Sequence, residues 1–150
     1  MTEAPGPTFR ELAREECDAL LARNNVGRIA YADGPRIEIQ PIGYVYADGI
    51  VNLRTSPGRK LEALAHSPYV SFEADEVHGP FEWRSVVASG TAYWADPEGS
   101  PHEREAHARA VELFRQVAPA TFTERDPTPF RNVVLRIHVD RMTGREAVPG

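Results

Sequence analysis

Cysteine is nearly absent from the chain. Cys17 stands alone, so no intrachain disulfide can form. No apolar run approaches the roughly 20 residues that cross a bilayer as a helix. The opening residues lack the basic, apolar and small-residue order of a secretory leader. A cytoplasmic protein with no membrane partner is expected. A basic excess is missing too: 17 Lys and Arg stand against 22 Asp and Glu, for a net charge of −5. That balance argues against the basic stripe of a nucleic-acid surface, so no nucleic-acid partner is expected. The five histidines show no ligand spacing. His102 and His107 lie five apart and do not stack on a helix face, so no metal site is expected. No serine stands in a nucleophile elbow, and no catalytic acid or base stands out.

What is present is ordinary globular material. With 150 residues, 41% hydrophobic and 26% charged, the chain fits one domain, 1–150. A chain of this size buries roughly 70% of its unfolded surface, enough for a core without staples. Thr8 and Glu11 form a capping-box pattern, followed by Phe9, Leu12, Ala13, Cys17, Leu20 and Leu21 at helical spacing. A first helix is therefore expected from Thr8 to about Ala22, with Glu16 spoiling its stripe and Cys17 a small core residue rather than a reactive thiol.

From Val26 the period changes to that of strands. VGRIAYA, IEIQPIGYVY and IVNLRT read as strands joined by Asp-Gly turns, a strong hairpin signal. Pro41 and Gly43 interrupt the middle strand, where a bulge or a ligand-facing stretch is expected. A short helix at about 57–65, a strand at YVSFEA and a long strand at about 84–94 follow. Ser100, Pro101 and Glu103 open a third helix, with His107, Ala110, Val111, Phe114, Val117 and Ala118 on one face. NVVLRIHVDRM makes the sixth strand, with Val133, Leu135, Ile137 and Val139 on one side. Glu73, Asp75 and Glu76 read as a solvated strand end, and Trp83 and Trp94 as core or rim residues. The fold class is mainly β: a six-stranded antiparallel barrel with three flanking helices.

The stretch with chemistry is LRTSPGRK, residues 53–60. It leaves a strand and enters a helix, with Ser56 at the expected N-cap and Pro57 at N1. Unpaired backbone N–H groups and the helix dipole favour an anion there. Thr55 and Ser56 add hydroxyls, while Arg59 and Lys60 place cations where they oppose the dipole. Arg54 adds a third. Cations at a helix start make sense if an anion sits among them.

The run IEIQPIGYVYADGIVNLRTSPGRKLEALAHSPYVSFEAD, continuing through WRSVVASGTAYW, resembles the pyridoxamine 5′-phosphate oxidase-related split barrels. It looks most like their nitroimidazole-resistance branch. The shared pattern is a strand with central Pro and Gly, an RT-x-x-x-RK segment and W-R-S-V-V-x-x-G. The resemblance implies FMN at a homodimer interface, with a deazaflavin coenzyme or haem as other cofactors of the scaffold. It implies that Gln40, Pro41, Ile42, Gly43 and Tyr44 line the flavin ring with backbone groups. It implies that Arg54, Thr55, Arg59 and Lys60 grip the phosphate, beside Ser56 at the helix start, and that Ser85 lies near the flavin. The activity it implies is oxidation or reduction of a small-molecule substrate; the alternative is a non-catalytic binding or storage module.

Overall fold

The computed structural model describes residues 5–150. Seven strands and three helices follow in the order β1 (Thr8–Glu11), α1 (Arg14–Arg23), β2 (Val26–Asp33), β3 (Arg36–Ala47), β4 (Ile50–Thr55), α2 (Arg59–His66), β5 (Tyr69–Gly79), β6 (Glu82–Trp94), α3 (Pro101–Val117) and β7 (Val133–Val148). All pairings are antiparallel, in the order β1-β7-β4-β3-β2-β5-β6, and β6 pairs β7 again to close the ring. The result is a split β-barrel of six strands with β1 added at an edge of β7. No helix among the described residues is long and apolar enough to cross a membrane.

Alternation sets the two faces. Ile29, Tyr31, Ile42, Tyr44, Val51, Leu53, Val70, Phe72, Val86, Leu135 and Ile137 turn inward into one core. Tyr44 and Phe72 meet edge to face there, with centroids 4.7 Å apart. Helix α1 plugs one end with Cys17, Leu20 and Leu21, so Cys17 is a buried core residue. Helix α3 covers the outer face of the β3–β4–β7 wall, where Ala106, Ala110 and Phe114 pack on Val134 and Val45.

The first helix starts six residues later than its sequence pattern predicts. Thr8–Glu11 is β1, paired with Val148 back to Arg145. A long-range ladder thus overrides a local helical period. Glu16 is not a flaw in the stripe: its carboxylate accepts the Ala13 N–H at 2.8 Å and caps α1. On α3 the buried face is Ala106, Ala110, Leu113 and Phe114, whereas Val117 is exposed.

No bulge breaks β3 at Pro41 and Gly43. Its register with β2 runs unbroken from Arg36 to Gly43. Tyr44 donates its N–H to the Asn25 carbonyl on the β2 side, so alternation turns the Pro41 nitrogen towards β4. Strand β4 pairs back only to Tyr44, so Pro41 lies where β3 has no neighbour and its missing N–H costs no ladder bond. Register breaks fall instead between β6 and β7, at Ser89 and Gly90, where Asp140 is the extra residue, and in the β5–β6 pair between Val77 and Gly79.

Candidate functional site

Beyond Tyr44 the strands β3 and β4 part company, and the chain from Thr55 to Lys60 leaves the barrel through that gap. Thr55 is buried at the end of β4. Ser56 and Pro57 carry the turn, and Gly58 adopts φ of 152°, a backbone conformation that side chains disfavour. Gly58, not Ser56, is the N-cap of α2, so the helix begins at Arg59 and Lys60 rather than at Pro57. Both cations therefore stand in the very first turn, beside N–H groups with no helical partner.

A cleft of about 350 Å³ opens over this turn. Thr55, Ser56, Gly58, Arg59 and Lys60 form one wall, and Tyr31, Asp33, Arg36, Glu38 and Gln40 form the other. The two cations are held differently. Arg59 is exposed and pairs with Asp33 at 2.6 Å across the cleft. Lys60 is half-buried, and the only partner its ammonium finds among the described residues is the Thr55 hydroxyl, 3.1 Å away. Burial pushes the Lys60 pKa down, and the Arg131 guanidinium adds to that shift. A cation held in such surroundings is stabilised by any anion that enters. On the facing wall Gln40 donates to the Tyr31 hydroxyl at 3.2 Å.

The remaining residues singled out from the sequence divide. The side chains of Ile42 and Tyr44 are buried in the barrel core, and Tyr44 donates its hydroxyl to the Leu21 carbonyl at 2.8 Å. They leave only backbone for a ligand, as do Pro41 and Gly43 on the unpaired stretch. Arg54 does not join the cleft. Alternation turns it to the outer face, where it bonds Asp126, the Arg131 carbonyl at 2.7 Å and the Thr128 carbonyl at 3.0 Å. Ser85 also lies elsewhere, on the outer face of β6, donating to Glu73 at 3.0 Å. Arg28 reaches both Glu73 and Asp75 beside it, so these carboxylates belong to an ion-pair network. Burial, then the neighbouring Asp75, raises the Glu73 pKa. Tyr31, Asp33 and Arg36 were invisible as cleft residues, because only the β2–β3 hairpin's fold over α2 brings them there.

A closed antiparallel barrel with a cation-bearing strand-to-helix loop defines a split β-barrel protein with a cleft over that loop. The chain belongs to the pyridoxamine 5′-phosphate oxidase family, whose model matches residues 13–146. An uncharacterised protein of Rhizobium meliloti (strain 1021) is 31% identical over 149 residues, covering 94% of this chain and 97% of that one. The crystal structure of a FAD-binding protein from Mesorhizobium loti matches with a TM-score of 0.75 and 28% identity, over 93% of this chain and 99% of that one. A candidate 5-nitroimidazole antibiotic resistance protein from Bacteroides thetaiotaomicron shares the fold at a TM-score of 0.72 and 16% identity, over 95% and 90% of the two chains.

Proposed function

We propose that this chain is a flavoprotein that holds FMN by its phosphate at Thr55, Ser56, Arg59 and Lys60. In this reading it serves as an oxidoreductase for a small organic substrate. The observation that carries the reading is the half-buried Lys60 ammonium at the start of α2, whose only partner among the described residues is the Thr55 hydroxyl. The FAD-binding protein from Mesorhizobium loti supports a flavin nucleotide in particular. Bound flavin supplies the redox chemistry, and the protein's part is to orient it and tune its electronics. Lys60 and Arg59 neutralise the phosphate, the α2 N–H groups donate to its oxygens, and the free backbone edge at Pro41 and Gly43 borders the ring.

A titration of FMN, FAD and riboflavin into wild type, Lys60→Ala and Arg54→Ala tests it. A charge-assisted hydrogen bond contributes about 1.5–3 kcal/mol, so Lys60→Ala should weaken FMN by about ten- to a hundredfold and barely change riboflavin. Arg54→Ala should leave the preference for FMN over riboflavin intact, since its guanidinium is bound to Asp126. Equal losses for FMN and riboflavin in Lys60→Ala would sink the phosphate assignment. Tighter FAD than FMN would move the assignment to the dinucleotide.

A further inference from the structure

Asp33 ends strand β2 and leads into the hairpin turn at Gly34, whose φ is 59°. A turn aspartate commonly engages its carboxylate with a nearby backbone N–H. Asp33 does not. The only partner its carboxylate finds among the described residues is the Arg59 Nε–H, 2.6 Å away across the cleft at α2. The two side chains differ in freedom. That of Asp33 is 19% exposed, on a residue held in the β2–β3 ladder opposite Arg36, whereas that of Arg59 is 79% exposed on the first turn of α2. The carboxylate therefore stays with its wall, and the guanidinium is the member free to move.

The charges around the cleft set the consequence. Its lining carries three cations, Arg36, Arg59 and Lys60, against two carboxylates, Asp33 and Glu38. Arg59 already has a counter-anion in Asp33, while Lys60 has only the Thr55 hydroxyl. A phosphate that enters beside Lys60 must share Arg59 with Asp33 or draw it away. An exposed ion pair is weak, so that exchange is open to a ligand. In either case the Asp33 carboxylate remains in the wall as a second negative charge facing the phosphate, and like charges at such range repel.

We propose that Asp33 is a specificity-determining residue of this cleft: by holding Arg59 and by its own charge, it limits how strongly the phosphorylated ligand is preferred over its uncharged counterpart. The inference rests on the reading of the cleft as a phosphate site. Titration of FMN and riboflavin into wild type, Asp33→Asn and Lys60→Ala tests it, with melting temperature as the check on folding. Asparagine keeps the shape of the side chain and suits a turn, so Asp33→Asn should fold as wild type does. It should bind FMN about tenfold tighter than wild type does and leave riboflavin affinity unchanged. Added salt should shrink the gain for FMN. An unchanged or weaker FMN affinity in Asp33→Asn, or an equal gain for riboflavin, would overturn the inference. Lys60→Ala tells the two failures apart. If it weakens FMN while Asp33→Asn does not tighten it, only the role of Asp33 falls. If neither substitution alters the ratio of FMN to riboflavin affinity, the phosphate reading falls and takes the role of Asp33 with it.

Discussion

At the scale of single residues, Lys60 poses an opposition between stability and binding. Its folded-state pKa lies below that of a free lysine, because burial first and Arg131 second disfavour the charged form. A lysine shifted down destabilises the fold wherever both states are protonated. That penalty fades only as pH rises through the folded pKa towards the unfolded value of 10.5. Lys60→Met removes it at neutral pH while keeping a long apolar stem. The variant should melt at higher temperature than wild type without ligand, each kcal/mol gained moving Tm by about 2–4 °C. With FMN present the order should reverse, because wild type alone gains the Lys60 contact to the phosphate. The gap between the ligand-free proteins should narrow as pH rises towards 10.5. A ligand-free Lys60→Met that melts lower at pH 7 would show that the ammonium is already satisfied in the fold.

At the scale of elements, glycine and carboxylate positions explain how the pieces lock. A Cβ on Gly90 would meet the His138 carbonyl oxygen at 1.9 Å, so the bulge that closes β6 on β7 admits no side chain there. That accounts physically for the glycine of W-R-S-V-V-x-x-G. Helix α1 is tied to β5 by Glu76, which accepts from Arg23 at 2.6 Å and from Asn24 at 2.8 Å. Arg23, more than any other partner, holds the Glu76 carboxyl down to about 2 from a usual 4.5. A carboxylate shifted down stabilises the fold above its unfolded pKa and loses that effect as pH falls through the folded one. Glu76→Gln should therefore unfold at lower urea than wild type at pH 6. The difference should shrink as pH drops from about 4.5 towards 2. A gap that stays constant over that range would rule out the ion pair as its source.

The same elements show what the sequence made legible. The hairpins of β2–β4 were readable because Asp48 and Gly49, at φ of 57° and 74°, supply the turn that twisted strands need. The α3 cap at Ser100 and Glu103 was readable for the same local reason, as was the cation pair Arg59 and Lys60. β1 was not, since TFRE forms a strand only against Arg145 to Val148, at the far end of the chain. Nor was the fate of Arg54, whose partner Asp126 sits 72 residues on in a loop without a periodic pattern. Local chemistry fixed the loop's composition, and only tertiary pairing decided which of its cations faced the cleft.

At the scale of the whole molecule, the barrel is finished on one side and bare on the other. Helices α1 and α3 cover one end and the β3–β4–β7 wall, whereas the outer face of β3, β2, β5 and β6 carries Ile37 at 82% exposure, Ile39 at 68% and Tyr69 at 73%. Ala30 and Ala32 lie between them on β2. Contiguous apolar surface of this kind on a sheet marks an interface rather than a solvent face. Arg28 on the same face is already paired with Glu73 and Asp75, so burying these three groups leaves none of them without a partner. A second copy of the chain is the partner we propose, meeting the first through an isologous contact. Two copies of a 16.7 kDa chain should appear in light scattering as a dimer at micromolar concentration. Ile39→Lys places an unpaired charge in the middle of that contact and should yield a folded monomer. Because the cleft opens beside this face, with Tyr31 and Gln40 on its wall, the monomer should also bind FMN more weakly while keeping its preference over riboflavin. Loss of the ring's cover would weaken both ligands together, whereas the phosphate contact resides wholly within one chain. A wild-type particle of single-chain mass that binds FMN as tightly as Ile39→Lys would show that one barrel completes the site alone.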